Sequence, residues 1–247
     1  YATAPFGDAL FGLGGSDRLN GSPGWDGLFG GNGDDRLFGN GGDDWLNGGS
    51  GNDVINGGTG IDTVDYSDAA GGITLNLSST RGQRTGGSGT DTVTNVENVN
   101  GSSFNDRLTG NGLVNQLDGN GGNDQLFGMG GNDILTGGLG DDLIDGGIGI
   151  DMANYADAVA GVAVNLSLAG AQDTVGSGID TLVSIENIDG SGFNDALTGN
   201  AGANTLNGGE GADQLVGGDG NDVLIGGAGT DIYNGGAGND ILMAGPE

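Results

Sequence analysis

The chain has no cysteine, no histidine and no lysine. Without cysteine there is no disulfide framework, thiolate nucleophile or zinc knuckle. Without histidine there is no serine–histidine triad, zincin motif or imidazole acid–base group, and no Gly-x-Ser-x-Gly elbow occurs. Positive charge is confined to Arg18, Arg36, Arg81, Arg84 and Arg107, against 34 acidic residues, for a net charge of -29. Nucleic acid is therefore excluded as a partner, and an anionic membrane face should repel the chain. Apolar runs are only a few residues long, so no segment inserts into a bilayer as a helix. Three prolines among 61 glycines, with no glycine every third residue, exclude collagen.

The first residues, Tyr1-Ala2-Thr3-Ala4-Pro5, hold neither a basic nor an apolar stretch, so no signal peptide is read in them. The missing initiator Met points to a processed chain or a fragment. With 34% apolar and 5% aromatic residues, the composition alone resembles that of a disordered chain. Order must come from a repeat, a ligand or both.

The repeat appears when aspartates are numbered. Asp8, Asp17, Asp26, Asp35, Asp44, Asp53 and Asp62 are nine apart, each followed two residues later by an apolar side chain, from Leu10 to Val64. Gly48-Gly49-Ser50-Gly51-Asn52-Asp53-Val54-Ile55-Asn56 is a full copy of the rule Gly-Gly-x-Gly-x-Asp-x-apolar-x. A second block has Asp106, Asn115, Asp124, Asp133, Asp142 and Asp151 at the sixth position; a third has Asp195, Asn204, Asp213, Asp222, Asp231 and Asp240. Between the blocks lie two copies of one 35-residue interlude, offset by 89 residues, in which Tyr66, Asp91, Glu97 and Asn98 recur as Tyr155, Asp180, Glu186 and Asn187. The organisation is block one over 3–65, interlude 66–100, block two over 101–154, interlude 155–189 and block three over 190–243. Such an array points to a solenoid.

The x-apolar-x triplet alternates as a strand with its apolar residue inward, and the glycine-rich six residues before it reverse the chain. Two nonapeptides make one eighteen-residue turn, so like positions stack at about 4.8 Å. Carboxylates roughly 5 Å apart then repel by about 3 kcal/mol at an effective dielectric near 20. A turn buries only two repeat-position apolar side chains, about 1.5–3 kcal/mol each, against roughly 1–2 kcal/mol per residue of backbone ordering. A divalent cation between successive loops reverses this balance. Carboxylates and carbonyls without nitrogen or sulfur ligands select Ca²⁺.

At these nonapeptides the sequence resembles the repeats-in-toxin (RTX) family, the hemolysin-type calcium-binding repeats of secreted bacterial proteins. The resemblance implies an all-β fold, a right-handed parallel β-roll or β-helix solenoid, with calcium between loops at each edge. It implies that the nineteen sixth-position side chains named above are metal ligands, completed by glycine carbonyls. Same-edge pairs give roughly a dozen ions. Asn115 and Asn204 remove a charge, so weaker sites are expected there. The loops 12–16, 21–25 and 110–114 are imperfect copies. Family members leave bacterial cells by type I secretion and fold outside, which makes this chain an extracellular or cell-surface structural module rather than an enzyme. Their secretion signals lie in a tail beyond the repeats, whereas here Ala244-Gly245-Pro246-Glu247 follows the last repeat directly, so that either the tail is missing or the chain is a piece of something larger.

Three features lie outside the repeat. The interludes, with Ile73, Leu75 and Leu77 facing one way, read as two further solenoid turns with longer loops. Glu97 and Glu186 read as structural or as extra ligands at the seam. Phe11, Phe29 and Trp45 point outward on one sheet and read as a cross-strand ladder or as a surface for lateral protein contact; a glycan- or partner-binding role, with the Arg81-Gly82-Gln83-Arg84 bulge as its site, is the alternative function.

Overall fold

The computed structural model describes residues 2–3, 7 and 9–245. They contain strands, turns and one short 3-10 turn, and among them no helix is long and apolar enough to cross a membrane. The chain divides into two compact units, Tyr1–Asn120 and Gly121–Glu247.

In the first unit the repeats coil as their spacing predicts. One face stacks Ala2–Thr3, Arg18–Asn20, Arg36–Gly41, Val54–Thr59 and Thr90–Thr94 in parallel. The opposite face stacks Ala9–Phe11, Gly27–Asn32, Trp45–Ser50, Thr63–Asp65, Asn98–Asn100 and Gln116–Asp118, also in parallel. Leu19 pairs with Leu37 and Leu37 with Ile55, while Leu28 pairs with Leu46 and Leu46 with Val64. The register step is thus eighteen residues, two nonapeptides per turn. From Leu19 on, the eighth-position side chains enter a single-file core, where Leu28, Leu37, Leu46 and Ile55 are fully buried.

The second unit has the same construction. Gln125–Phe127, Leu143–Asp145 and Ile179–Val183 form one parallel stack. The opposite stack runs from Ile134–Thr136 through Met152–Asn154, Asn187–Asp189, Thr205–Asn207 and Val223–Gly227 to Ile241–Ala244. A further stack joins Ala163–Asn165, Ala196–Thr198, Gln214–Asp219 and Ile232–Ala237.

The interludes depart from the expected pair of ordinary turns. Strand Thr74–Asn76 pairs forward with Arg107–Thr109, skipping a turn of the sequence. The chain then returns through Gln83–Arg84, which runs antiparallel to Thr90 and Asp91, and only then resumes the coil with Val93 beside Ile55 and Val99 beside Val64. The Gln83 side chain closes the break: its amide donates to the Asn76 carbonyl at 3.0 Å and its oxygen accepts the Asn76 N–H at 2.7 Å. Gln172 does the same to Asn165. Ile73 and Leu75 are buried as expected, but Leu77 is only half-buried because the strand ends at Asn76 and a turn follows.

Candidate metal centre

Each nonapeptide loop ends by turning its sixth residue inward at the strand entrance. Asp35, Asp44, Asp53 and Asp62 are at most 2% exposed. Asp106, Asp124, Asp133, Asp142, Asp151, Asp195, Asp213 and Asp222 are likewise buried, as are Asn115 and Asn204. The carboxylates link turn to turn. Asp35 Oδ1 accepts the Asp17 N–H at 2.7 Å, and Asp53 Oδ1 accepts that of Asp35 at 2.8 Å. On the other edge Asp44 accepts from Asp26 and Asp62 from Asp44, both at 2.8 Å. Asp124 and Asp142, Asp133 and Asp151, and Asp195 and Asp213 form the same link in the second unit, as do Asn204 and Asp222. The rows continue through Asp231 and Asp240, which are only half-buried. Asp8, also expected as a ligand, lies outside the described residues.

One oxygen of these carboxylates is thereby used. The second, Oδ2, is buried with no hydrogen-bond partner at Asp17, Asp35, Asp44, Asp53 and Asp62, and at Asp142, Asp151, Asp213 and Asp222. A buried carboxylate oxygen without a donor costs several kcal/mol unless something positive meets it. The first glycine of each loop shows where that something fits. A Cβ on Gly30 would lie 2.5 Å from Asp35 Oδ2 and 2.5 Å from the Gly48 carbonyl oxygen of the next turn. The same two oxygen types crowd that point at Gly39, Gly57, Gly128 and Gly217. Calcium–oxygen distances fall at about 2.3–2.6 Å. Glycine is required here by space, not by φ: a side chain would fill the point on which carboxylate and carbonyl oxygens converge. The donor set is all oxygen, and the residues fit a calcium ion. Among the described residues no three acidic side chains come together, so most ligands at each loop must be carbonyls.

Electrostatics agree with this geometry. Burial pushes the carboxyls of Asp44, Asp53 and Asp142 up to about 7 and those of Asp62 and Asp213 up to about 6, with neighbouring carboxylates adding to the rise against the accepted backbone N–H bonds. Asp35 and Asp151 move in the same direction for the same leading reason.

Some expected ligands are placed differently. Asp26 Oδ2 accepts the Ser22 N–H. Asn115 and Asn204 turn their amide nitrogens to the carbonyls of Glu97 and Glu186 at 2.9 and 2.7 Å. Four residues that the nonapeptide rule did not select continue the rows: Asp91 and Asp180 accept the N–H groups of Asp53 and Asp142, and Glu97 and Glu186 those of Asp62 and Asp151. Their signal was present, since Asp91-Thr92-Val93-Thr94 and Glu97-Asn98-Val99-Asn100 keep the acid-x-apolar-x tail without the glycine loop.

Of the outward aromatics, Phe11 and Phe29 stack with ring centroids 4.9 Å apart. Trp45 stands in the neighbouring column, paired with Gly27 rather than Phe29, so the three do not form one cluster.

A family model described as RTX calcium-binding nonapeptide repeat (4 copies) matches residues 5–37, 29–64, 118–153, 185–215 and 207–242, more than half of the chain. A search of curated proteins returns no match.

Proposed function

The chain belongs to the RTX calcium-binding nonapeptide repeat family, and from that premise we propose that it is an extracellular, non-catalytic structural module whose folding is completed by calcium after export from a bacterial cell. It serves as a surface scaffold or adhesin, or as the non-catalytic part of a larger exported protein. The observation that carries this reading is the row of buried Oδ2 atoms without donors, which at Asp35, Asp44, Asp62, Asp213 and Asp222 converge with a carbonyl of the next turn. Metal-free, those rows oppose the coil; with calcium, binding free energy becomes folding free energy.

Export fits the same physics. An acidic, cysteine-free chain held open by its own carboxylates suits a narrow channel. Extracellular-type calcium sites have Kd of about 10⁻⁴–10⁻³ M, too weak to fill in cytosol. Folding then waits for the outside and removes the unfolded form there. The carboxylate rows are taken up by this structural task rather than by catalysis. Exposed Phe11, stacked on half-buried Phe29, is the surface on which a lateral partner would rest.

Equilibrium dialysis tests the binding. Several calcium ions per chain are expected at millimolar calcium, with Mg²⁺ a poor substitute because it keeps its waters and demands a smaller octahedron. Asp35→Ala with Asp53→Ala should lower the count and, in cells that export the chain, reduce folded protein outside. One or two ions in all, or a double variant that binds, folds and exports unchanged, would refute the reading.

A further inference from the structure

Next to each interlude, side-chain oxygens of the rows, which elsewhere are buried without a donor, meet proton donors from the protein itself. In the first unit, Asp91 is the next carboxylate after Asp53. Its Oδ1 accepts the Asp53 N–H at 2.9 Å, and its Oδ2 accepts the hydroxyl of the buried Tyr66 at 3.0 Å. On the other edge Glu97 Oε2 accepts the Asp62 N–H at 3.0 Å. Asn115 then donates its amide to the Glu97 carbonyl at 2.9 Å, while its own Oδ1 accepts the Asn111 N–H at 2.8 Å. Asp106 has both oxygens served: Oδ1 by the Ile73 N–H and the Ser102 hydroxyl, each at 2.7 Å, and Oδ2 by the Ser102 N–H at 2.6 Å.

The second unit repeats the arrangement 89 residues on. Asp180 accepts the Asp142 N–H and the hydroxyls of Tyr155 and Thr174, all at 3.1 Å. Asn204 donates to the Glu186 carbonyl at 2.7 Å and accepts the Asn200 N–H at 2.8 Å. Asp195 accepts the Val162 N–H and the Ser191 hydroxyl at 2.7 Å and the Ser191 N–H at 2.6 Å.

A hydroxyl, amide or backbone N–H hydrogen satisfies a buried oxygen as a cation does, and it repels a cation brought to the same place. The interludes also carry a denser core than the ordinary turns. Tyr66, Ile73, Leu75, Val93, Val96 and Val99 are all buried, and Tyr155, Val162, Val164, Leu182, Ile185 and Ile188 match them in the second unit.

We infer that the interludes are seams that need less calcium than the repeat blocks, in which Tyr66, Ser102 and Asn115, and Tyr155, Ser191 and Asn204, stand in for the ion. Asn115 and Asn204 are then closures rather than weak ligands. The calcium rows stop at each seam, and the glycine-loop segments bind calcium as separate blocks joined by parts that hold together with less of it. This inference rests on the reading of the sixth-position rows as calcium sites.

Hydrogen–deuterium exchange on the whole chain, followed from chelator to millimolar calcium, tests it. Amides of 93–100, 107–109, 181–189 and 196–198 should gain protection at a calcium concentration about tenfold lower than amides of 36–59 and 214–227. One shared midpoint would overturn the inference and leave calcium-driven folding intact. Protection that ignores calcium everywhere would overturn the calcium reading itself. Tyr66→Phe should raise the midpoint of 93–109 about tenfold and leave 181–198 in place; no shift, or an equal shift in both, contradicts the inference. Should that variant not fold in calcium, Asn115→Asp decides: one additional bound ion supports the seam, and an unchanged count overturns it.

Discussion

The oxygen of Asp53 that faces the Gly48 position, and its counterparts along both rows, set how the chain responds to protons. Burial raises the Asp53 carboxyl to about 7 and that of Asp62 to about 6 in the metal-free coil, whereas an unfolded aspartate titrates near 3.9. Between those values the folded coil binds more protons than the unfolded chain, so its stability falls as pH rises. The protonated contribution is fully present below about pH 4 and is lost by about pH 7. Circular dichroism without calcium should therefore show β-structure growing as pH falls from 7.5 to 4.5, and calcium should matter most at the upper end. A calcium-free chain whose signal ignores this window would contradict the burial argument. Space at the first loop glycine gives a second expectation. Gly30→Ala puts a methyl among Asp35 Oδ2 and the Gly48 carbonyl, so it should lose an ion and cost about 1–3 kcal/mol in the calcium-loaded protein. Gly192→Ala meets nothing within 4 Å, so it should be neutral or gain about 0.4–1 kcal/mol. Equal midpoints of thermal unfolding for the two variants would refute the distinction.

Individual turns were legible in the sequence because each needs only one apolar residue and one aspartate at fixed places, and their period of nine sets the register by itself. Leu28 beside Leu46 and Asp26 beside Asp44 follow directly from it. The interlude path was not legible. Strand Thr74–Asn76 finds its partner at Arg107–Thr109, and the short antiparallel strand Gln83–Arg84 carries no period at all. What holds that break is a side chain, the Gln83 amide against the Asn76 backbone, and its recurrence as Gln172 marks the position without saying what it binds. Gln83→Ala should leave that N–H and C=O without their partner and destabilise the calcium-loaded protein by about 1–3 kcal/mol. Gln172→Ala should cost a similar amount at the equivalent place. Calorimetric unfolding that is unchanged in both would show that the amide is not what closes the break.

For the candidate site, the sequence located the residues better than it located the ions. Seventeen aspartates and two asparagines at sixth positions look alike along the chain. They differ only in what surrounds them: Asp53 has a bare Oδ2, Asp106 has Ser102, and Asn115 has the Glu97 carbonyl. Those partners come from irregular loops whose course no repeat dictates.

At the scale of the whole molecule, a net charge of -29 and a quarter of the residues as glycine leave little to hold the chain together without a counter-ion. A dozen divalent ions at most would nearly cancel that charge, and fewer still remove the close repulsions within the rows. The central claim is that calcium, bound along those rows, completes the fold. Far-ultraviolet circular dichroism of the intact chain at neutral pH, first in chelator and then at millimolar calcium, tests it most directly. The account predicts a weak, largely unordered signal that converts to a strong β-signal on adding calcium, with little conversion by Mg²⁺. A full β-signal in chelator that calcium leaves unchanged would contradict it.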